Sequence, residues 1–220
     1  MSGVTALVPM KHHSQRVPGK NYRPMAGKPL FHHILERLDQ VPAVEEIVVN
    51  TDSPVIKEGL LEHFPAVRIL DRPRELCGDK VSMNKIISYD LSQIEADTFL
   101  QTHTTNPLLR SESIAKAIQT YFSHLPDYDS LFSVTRLYTR LWDEKGHAIN
   151  HDPGELIQTQ NLPPVYEENS CMYIFSRASF QERNNRLGRH PYLFEIDARE
   201  AWDIDTELDF DIVSNLMSAQ

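Results

Sequence analysis

Short apolar runs rich in β-branched residues recur along the sequence at 4–9, 47–50, 67–70, 99–103, 131–135 and 171–175, each of a length suited to a buried strand. Between them lie stretches with apolar residues at helical spacing: 29–38 (Leu30, Ile34, Leu35, Leu38), 54–63, 81–94, 111–124 and 206–217. Strand and helix therefore alternate. Such a chain buries its strands by laying helices over the faces of one sheet, which predicts an α/β layered fold with a mostly parallel central sheet.

Two helix starts carry local signals. Ser53-Pro54 offers a cap followed by proline in the first turn, and Thr206 with Asp209 three residues on makes a capping-box pattern. The alternation breaks once, over 138–168, where polar and turn-forming residues dominate. This stretch is read as a small protruding excursion, a lid or a dimerisation element within a single domain covering 1–220. In open α/β sheets ligands bind beyond the carboxyl ends of strands, so the loops after Pro9, Asn50, Leu70 and His103 are the places where chemistry is expected.

With 220 residues, 40% of them hydrophobic, the chain can bury a substantial core. No apolar run approaches the ~20 residues of a membrane helix. The apolar stretch 4–10 has no basic segment before it, and Lys11 and histidines follow where small residues would mark a cleavage site, so a cytoplasmic location without a membrane partner is expected. The net charge of −9 argues against nucleic acid as a partner. Cys77 and Cys171 lack CxxC spacing and are expected to be buried thiols. Charge is nonetheless uneven: residues 1–35 contain no Asp or Glu yet carry Lys11, Arg16, Lys20, Arg23 and Lys28. Such a cationic arm suits a small polyanion.

The arm follows the first strand in "VPMKHHSQRVPGKN". GxGxxG is absent, and Gly27-Lys28 runs into Pro29, so neither a dinucleotide fingerprint nor a P-loop is present. Gly19 can let the backbone approach a ligand while Lys11 and Lys20 neutralise phosphate oxygens; a solvated basic loop is the equal alternative on spacing alone. The C-terminal third holds a matching piece, "AWDIDTELDF". Asp203 and Asp205 alternate on an extended segment, so both carboxylates point to one side and can share a hard cation such as Mg²⁺, or else form a purely structural acidic pair. Glu207 and Asp209 are assigned to the helix N-terminus. His12-His13 and His32-His33 lack the spacing of a zinc site and are read as non-ligands. His103 ends a strand in "FLQTHTTNPLLR", where Thr104, Thr105 and Asn106 either orient a hydroxyl-rich substrate or cap the turn before Pro107. No GxSxG elbow supports hydrolase chemistry.

Taken with "DRPREL" at 71–76, "ENSCMYIF" at 168–175 and "DIDTELDF" at 203–210, the segments "VPMKHHSQRVPGKNYRPMAGKPL" and "HTTNPLLR" make the chain resemble the acylneuraminate cytidylyltransferase family, the CMP-sialic acid synthetases and the related Kdo cytidylyltransferases. The resemblance implies a three-layer Rossmann-like nucleotidyltransferase fold and a homodimer. It also implies Mg²⁺-dependent transfer of CMP from CTP to the anomeric hydroxyl of an acidic 3-deoxy-ulosonic sugar, with release of pyrophosphate. Pro9, Met10, Lys11, Lys20, Asn21, Arg72 and Ser82 would then serve the nucleotide, with Lys11, Lys20 and Asp205 in catalytic roles. Asp203 and Asp205 would hold the metal, and His103, Thr105, Asn106, Asn169 and Tyr173 would face the sugar.

The departures from the family pattern concentrate on the acceptor side. Lys11 stands where the family has arginine, and "DKVSMNK" replaces "DTASS". Glu167 and Glu168 occupy the neighbourhood where sialic-acid enzymes place a basic residue before "NGA". Either Arg110, Arg136 or Arg140 supplies that cation or the acceptor is not sialic acid. The competing readings are a nucleotide-binding protein without catalysis, a nucleotidyltransferase with another acceptor or base, and a structural or partner-binding module built on the 138–168 excursion.

Overall fold

The computed structural model describes residues 3–78 and 80–218. In chain order the elements are β1 (Val4–Leu7), β2 (Pro24–Met25), β3 (Lys28–Pro29), α1 (Leu30–Asp39), β4 (Val44–Thr51), α2 (Pro54–His63) and β5 (Arg68–Asp71). They continue with α3 (Met83–Gln93), β6 (Thr98–Thr102), α4 (Ser111–Ser123), β7 (Ser130–Leu137), β8 (Val165–Ser176), α5 (Arg177–Arg183), β9 (Pro191–Glu195) and α6 (Glu207–Ser218). Apart from the β2–β3 pair, the strands form one sheet in the order β5-β4-β1-β6-β8-β7-β9.

β5, β4, β1 and β6 run parallel, and β9 runs parallel to β7. β8 alone is antiparallel to both neighbours. The cause is the connection: no crossover helix separates β7 from β8, so the chain returns alongside the strand it has just left. Residues 165–168, within the stretch read as an excursion, are themselves strand and pair with Val134–Leu137. The turn-rich part between the two strands exposes Tyr138, Trp142, Ile149 and Leu156.

Side-chain alternation along the strands divides the core. Ala6, Val8, Val49, Leu100 and Ile174 point to the face covered by Phe31, Ile34, Leu35 and Leu38 of α1, Ile56 and Leu60 of α2, and Ile114 and Ile118 of α4. Leu7, Val48, Phe99, Tyr173 and Phe175 point to the other face, under Ile87 and Leu91 of α3 and Phe180 of α5. Three layers result, each buried aliphatic contributing about 1.5–3 kcal/mol.

A smaller third cluster does the positioning that matters for function. Val17, Met25 and Leu30 from the chain's beginning pack against Ile204, Phe210 and Val213 from its end. The cationic arm and the Asp203/Asp205 pair are thereby fastened to one another. The two expected caps are formed: Ser53 Oγ accepts from the Ile56 N–H at 3.3 Å, and Thr206 and Asp209 exchange side-chain and backbone hydrogen bonds of 2.8 and 3.2 Å.

Some elements differ from the sequence expectation. α5 is seven residues long and is started by a Ser176–Ser179 capping box, too short for periodicity to show. β9 begins at Pro191, at the sheet edge, where a missing N–H is tolerated. Cys171 is buried as expected, whereas Cys77 is exposed, because it follows a surface turn at 74–76. Among the described residues no helix is long and apolar enough to cross a membrane.

Candidate active site

β1 is where the sheet's order reverses: β4 and β5 lie on one side of it and β6 on the other. The loops leaving the carboxyl ends of β1 and β6 diverge there and leave a crevice. A cleft of about 400 Å³ occupies this place, lined by Pro9, Lys11, Arg16, Lys20, Asn21, Arg72, His103 and Thr105 among others.

The cleft's cationic wall is built by fixing an otherwise irregular loop at three points. Asn21 is buried; its Nδ2 donates to the Lys11 carbonyl at 2.8 Å, and its Oδ1 accepts from Thr104 Oγ1 at 2.6 Å. The loop after β1 is thus tied to the loop after β6. His12 fixes the other flank: its N–H donates to Asp52 Oδ1 at 2.8 Å, and its Nδ1 meets Ser53 Oγ at 2.7 Å. Because Ser53 Oγ already accepts from the α2 backbone, its O–H is available to donate to His12. His12 is therefore a brace, while His13 is exposed and packs edge-on against the His12 ring. Gly19 supplies the third point, with φ of 67° in the left-handed region just before Lys20.

Ile204 is the hinge of the acidic side. It is fully buried in the third cluster, and its N–H donates to the Thr105 carbonyl at 2.9 Å. With Ile204 turned inward, the alternation of an extended chain turns Asp203 and Asp205 to the opposite side. Lys20 bridges the two walls: its ammonium donates to the Ile204 carbonyl and stands 3.8 Å from Asp205 Oδ1. Burial lowers the Lys20 pKa, and the charges of Asp203 and Asp205 oppose that shift. Arg16 reaches Asp205 at 2.6 Å from the same loop.

Asp203 is the strained member. Burial raises its pKa and the neighbouring Asp205 adds to the rise, while a Thr105 hydrogen bond opposes it. Its Oδ1 is buried and has no hydrogen-bond partner among the described residues. An orphaned carboxylate oxygen beside a second carboxylate, at the rim of a cationic cleft, fits a hard divalent cation. Among the described residues no group of three or more His, Cys, Asp or Glu could hold a metal. A two-carboxylate site is the kind Mg²⁺ occupies when substrate phosphates complete the shell.

The remaining expected residues divide between cleft and scaffold. Arg72 lines the cleft, its guanidinium held by Asn50 through Nε to Oδ1 at 2.6 Å and Nη2 to the carbonyl at 2.9 Å. His103 lines it too, and burial together with the Arg186 and Lys20 charges pushes its imidazole down to about 3, so it is neutral. Met10 is not in the cleft; its side chain belongs to the core. Ser82 is exposed and makes no cap contact, while its neighbours Val81 and Met83 line the cleft. Asn106 is buried, and its long hydrogen bonds go to the carbonyls of Ala201 and Trp202. Asn169 is buried in a β7–β8 irregularity, bonded to Ser133 Oγ at 2.6 Å and Thr135 Oγ1 at 2.9 Å. Tyr173 lies in the core with its hydroxyl on Glu168. The last three hold the scaffold around the cleft and do not line it.

The sequence model of the family described as "Cytidylyltransferase" matches residues 5–217. The chain belongs to the cytidylyltransferase family. Within the family it is similar to an N-acylneuraminate cytidylyltransferase of Streptococcus agalactiae serotype III, at 28% identity over 93% of this chain and 51% of that protein. It is also similar to a CMP-N,N'-diacetyllegionaminic acid synthase of Legionella pneumophila, at 27% identity over 97% of this chain and 96% of that one. The chain thus spans about half the length of the streptococcal relatives it matches. Its fold matches that of CMP:2-keto-3-deoxy-manno-octonic acid synthetase complexed with CTP, with a TM-score of 0.74, 19% identity and 99% of each chain covered. The seven-strand sheet and three layers are those of the cytidylyltransferase fold.

The clamp between the two loops of this cytidylyltransferase-family cleft can be tested directly. Asn21→Ala removes one buried and one part-buried hydrogen bond and leaves the Thr104 hydroxyl to find a new partner, an expected loss of about 1–3 kcal/mol in stability on urea unfolding. An unchanged midpoint would show that the clamp carries no load.

Proposed function

We propose that this chain transfers CMP from CTP to the anomeric hydroxyl of an acidic 3-deoxy-ulosonic sugar with Mg²⁺ as cofactor, releasing pyrophosphate. The observation that carries the reading is Lys20 held between the basic loop and the Asp203/Asp205 pair. Relatives named for N-acylneuraminate and N,N'-diacetyllegionaminic acid support an acidic sugar as acceptor.

In this reaction an oxygen–phosphorus bond forms at the α-phosphorus and the bond to the β-phosphate leaving group breaks. Negative charge grows on the departing pyrophosphate, and a fixed cation beside it is worth more in a partly dehydrated cleft than in water. Lys20 and Lys11 stand where they can meet that charge, with Arg16 beside them. Arg72 and the apolar Val81, Met83 and Ile86 form the end of the cleft suited to a base. Asp203 and Asp205 would hold the Mg²⁺. When bound it would neutralise phosphate oxygens and orient the triphosphate.

Titration calorimetry with CTP and MgCl₂ is expected to show saturable binding, and a pyrophosphate assay is expected to give release with at least one of N-acetylneuraminate, N,N'-diacetyllegionaminate and 3-deoxy-D-manno-octulosonate. Binding without release for any of these acids would favour the non-catalytic reading. No binding of CTP would overturn the proposal.

A further inference from the structure

An acidic acceptor needs a cation, and of the three arginines considered from the sequence two are hydrogen-bonded elsewhere and the third lies outside the cleft lining. Arg110 forks onto the buried Glu200 through Nε and Nη2, at 2.9 and 2.6 Å. Arg140 donates to the Ile157 carbonyl at 2.6 Å; the Arg136 guanidinium lies 5.0 Å from the Tyr138 ring centroid, and its Nε is buried without a hydrogen-bond partner among the described residues. Among the described residues, none of the three lines the cleft or is joined by hydrogen bonds through one side chain to a residue that does, whereas Arg186, itself outside the lining, reaches His103 through Gln101.

Arg186, in the loop between α5 and β9, is placed differently. Its guanidinium lies 3.5 Å over the Tyr173 ring, and its Nη1 donates to Gln101 Oε1 at 2.5 Å. Gln101 is fully buried, and its amide nitrogen donates in turn to His103 Nε2 at 3.1 Å. The order of this chain fixes the glutamine's orientation and leaves His103 as an Nδ1–H tautomer at the cleft wall. Arg186 is therefore one side chain beyond the sugar edge of the cleft, rigidly aimed through Gln101 and Tyr173.

Two facts make this arginine a receptor and not a brace. Among the described residues it has no carboxylate within 4.0 Å, although burial lowers its pKa; Glu168 acts on it only at longer range. Arg186 is half-buried, and partly dehydrating a guanidinium without a direct counter-charge is unfavourable unless something else supplies the anion. Its Nε–H and Nη2–H edge, the edge that pairs with a carboxylate bidentately, makes no hydrogen bond among the described residues. Neutral His103 cannot fill this role. The triphosphate already has Lys11, Arg16 and Lys20 in the lining of the cleft itself.

We propose that Arg186 binds the carboxylate of the acceptor sugar, its Nε/Nη2 edge forking onto both oxygens while Tyr173 and Gln101 hold it in place. The inference rests on the cytidylyl-transfer reading and accounts for a chain that carries Glu167 and Glu168 where a basic residue is the family habit. Glu168 is exposed, and one of its oxygens accepts the Tyr173 hydroxyl, so its repulsion of the incoming carboxylate is weakened.

Arg186→Gln and Arg186→Lys, in the full chain, test it by pyrophosphate release with CTP, Mg²⁺ and the three acids named above, and with the methyl ester of whichever acid turns over. Arg186→Gln is expected to raise the acceptor KM roughly 10- to 100-fold, to leave the CTP KM within about 2-fold, and to abolish the preference for acid over ester. Lysine keeps the charge without the fork and is expected to fall between glutamine and arginine. An unchanged acceptor KM, or an acid preference that survives in Arg186→Gln, overturns the assignment while leaving the transferase reading intact. Should calorimetry show that Arg186→Gln no longer binds CTP, the lysine variant decides by the same two ratios. No release with any acid from the wild-type chain overturns both.

Discussion

Replacing Asp205 by alanine is expected to lower turnover at saturating CTP and sugar by about 10²-fold or more, while the protein unfolds at nearly the same urea concentration. The two halves of this expectation separate a functional carboxylate from a structural one. In the ligand-free protein Asp205 makes one ion pair with Arg16 and a longer one with Lys20, and its side chain is 40% exposed. Exposed pairs of this kind contribute about 0–1 kcal/mol, so a purely structural Asp205 would be lost almost without notice. Removal of one of two carboxylates that hold a metal, or of the counter-charge that aims Lys20, costs several kcal/mol in the transition state. Asp209, four residues on, serves as control. It caps α6 through Thr206 and also accepts from the Asp205 N–H at 3.2 Å, so Asp209→Ala is expected to lower stability by about 1 kcal/mol and to lower turnover far less than Asp205→Ala does. Pyrophosphate release by Asp205→Ala within a few-fold of wild type would remove Asp205 from the chemistry, and a raised Mg²⁺ midpoint would confirm its place there.

The fold was legible because its determinants are local and periodic. The strand runs and helical spacings of the first 135 residues recur as β1, β4 to β7 and α1 to α4, since each is long enough for one face to be distinguished from the other. The acidic pair was legible for the same reason: alternation puts Asp203 and Asp205 on one side as soon as Ile204 is buried. The sequence could not show which polar side chains the scaffold would consume. Asn106, Asn169 and Tyr173 carry the chemistry of a sugar site, yet their hydrogen bonds satisfy neighbouring strands and loops. The Ser170 backbone, at φ of 59°, marks the β7–β8 irregularity that turns Asn169 inward, and a serine in that conformation leaves no local trace. Arg186 escaped for the opposite reason. It lies in an aperiodic loop, and only the pairing of β6 with β8, which sets Gln101 opposite Tyr173, makes it part of a site.

Asp90→Asn is expected to change stability little near pH 4 and to stabilise the protein progressively above it, on the order of 4 kcal/mol by pH 8. Asp90 is 1% exposed on α3 and accepts from Asn50 Nδ2 at 2.5 Å. Burial pushes its carboxyl from 3.8 up to about 7; the Asn50 hydrogen bond and the Arg72 charge, which reaches it across Asn50, only partly oppose this. Between these two values the folded chain holds a proton that the unfolded chain has released. Stability from this group is therefore fully present below about pH 4 and is lost as pH rises toward 7, at about 1.4 kcal/mol per unit. Asparagine keeps the acceptor oxygen for Asn50 and cannot ionise, so it escapes the loss. Other groups titrate over the same range, and His103, buried neutral, contributes a slope of opposite sign, so the difference between variant and wild type is the quantity to follow. Urea unfolding from pH 4 to 8 measures it; a difference that stays flat would mean Asp90 is ionised throughout. The consequence reaches the cleft, because Asn50 holds Asp90 with its amide nitrogen and Arg72 with its oxygen. Ionising Asp90 tightens one end of that bridge, so the seat of Arg72 in the cleft wall is coupled to a proton exchanged near neutral pH.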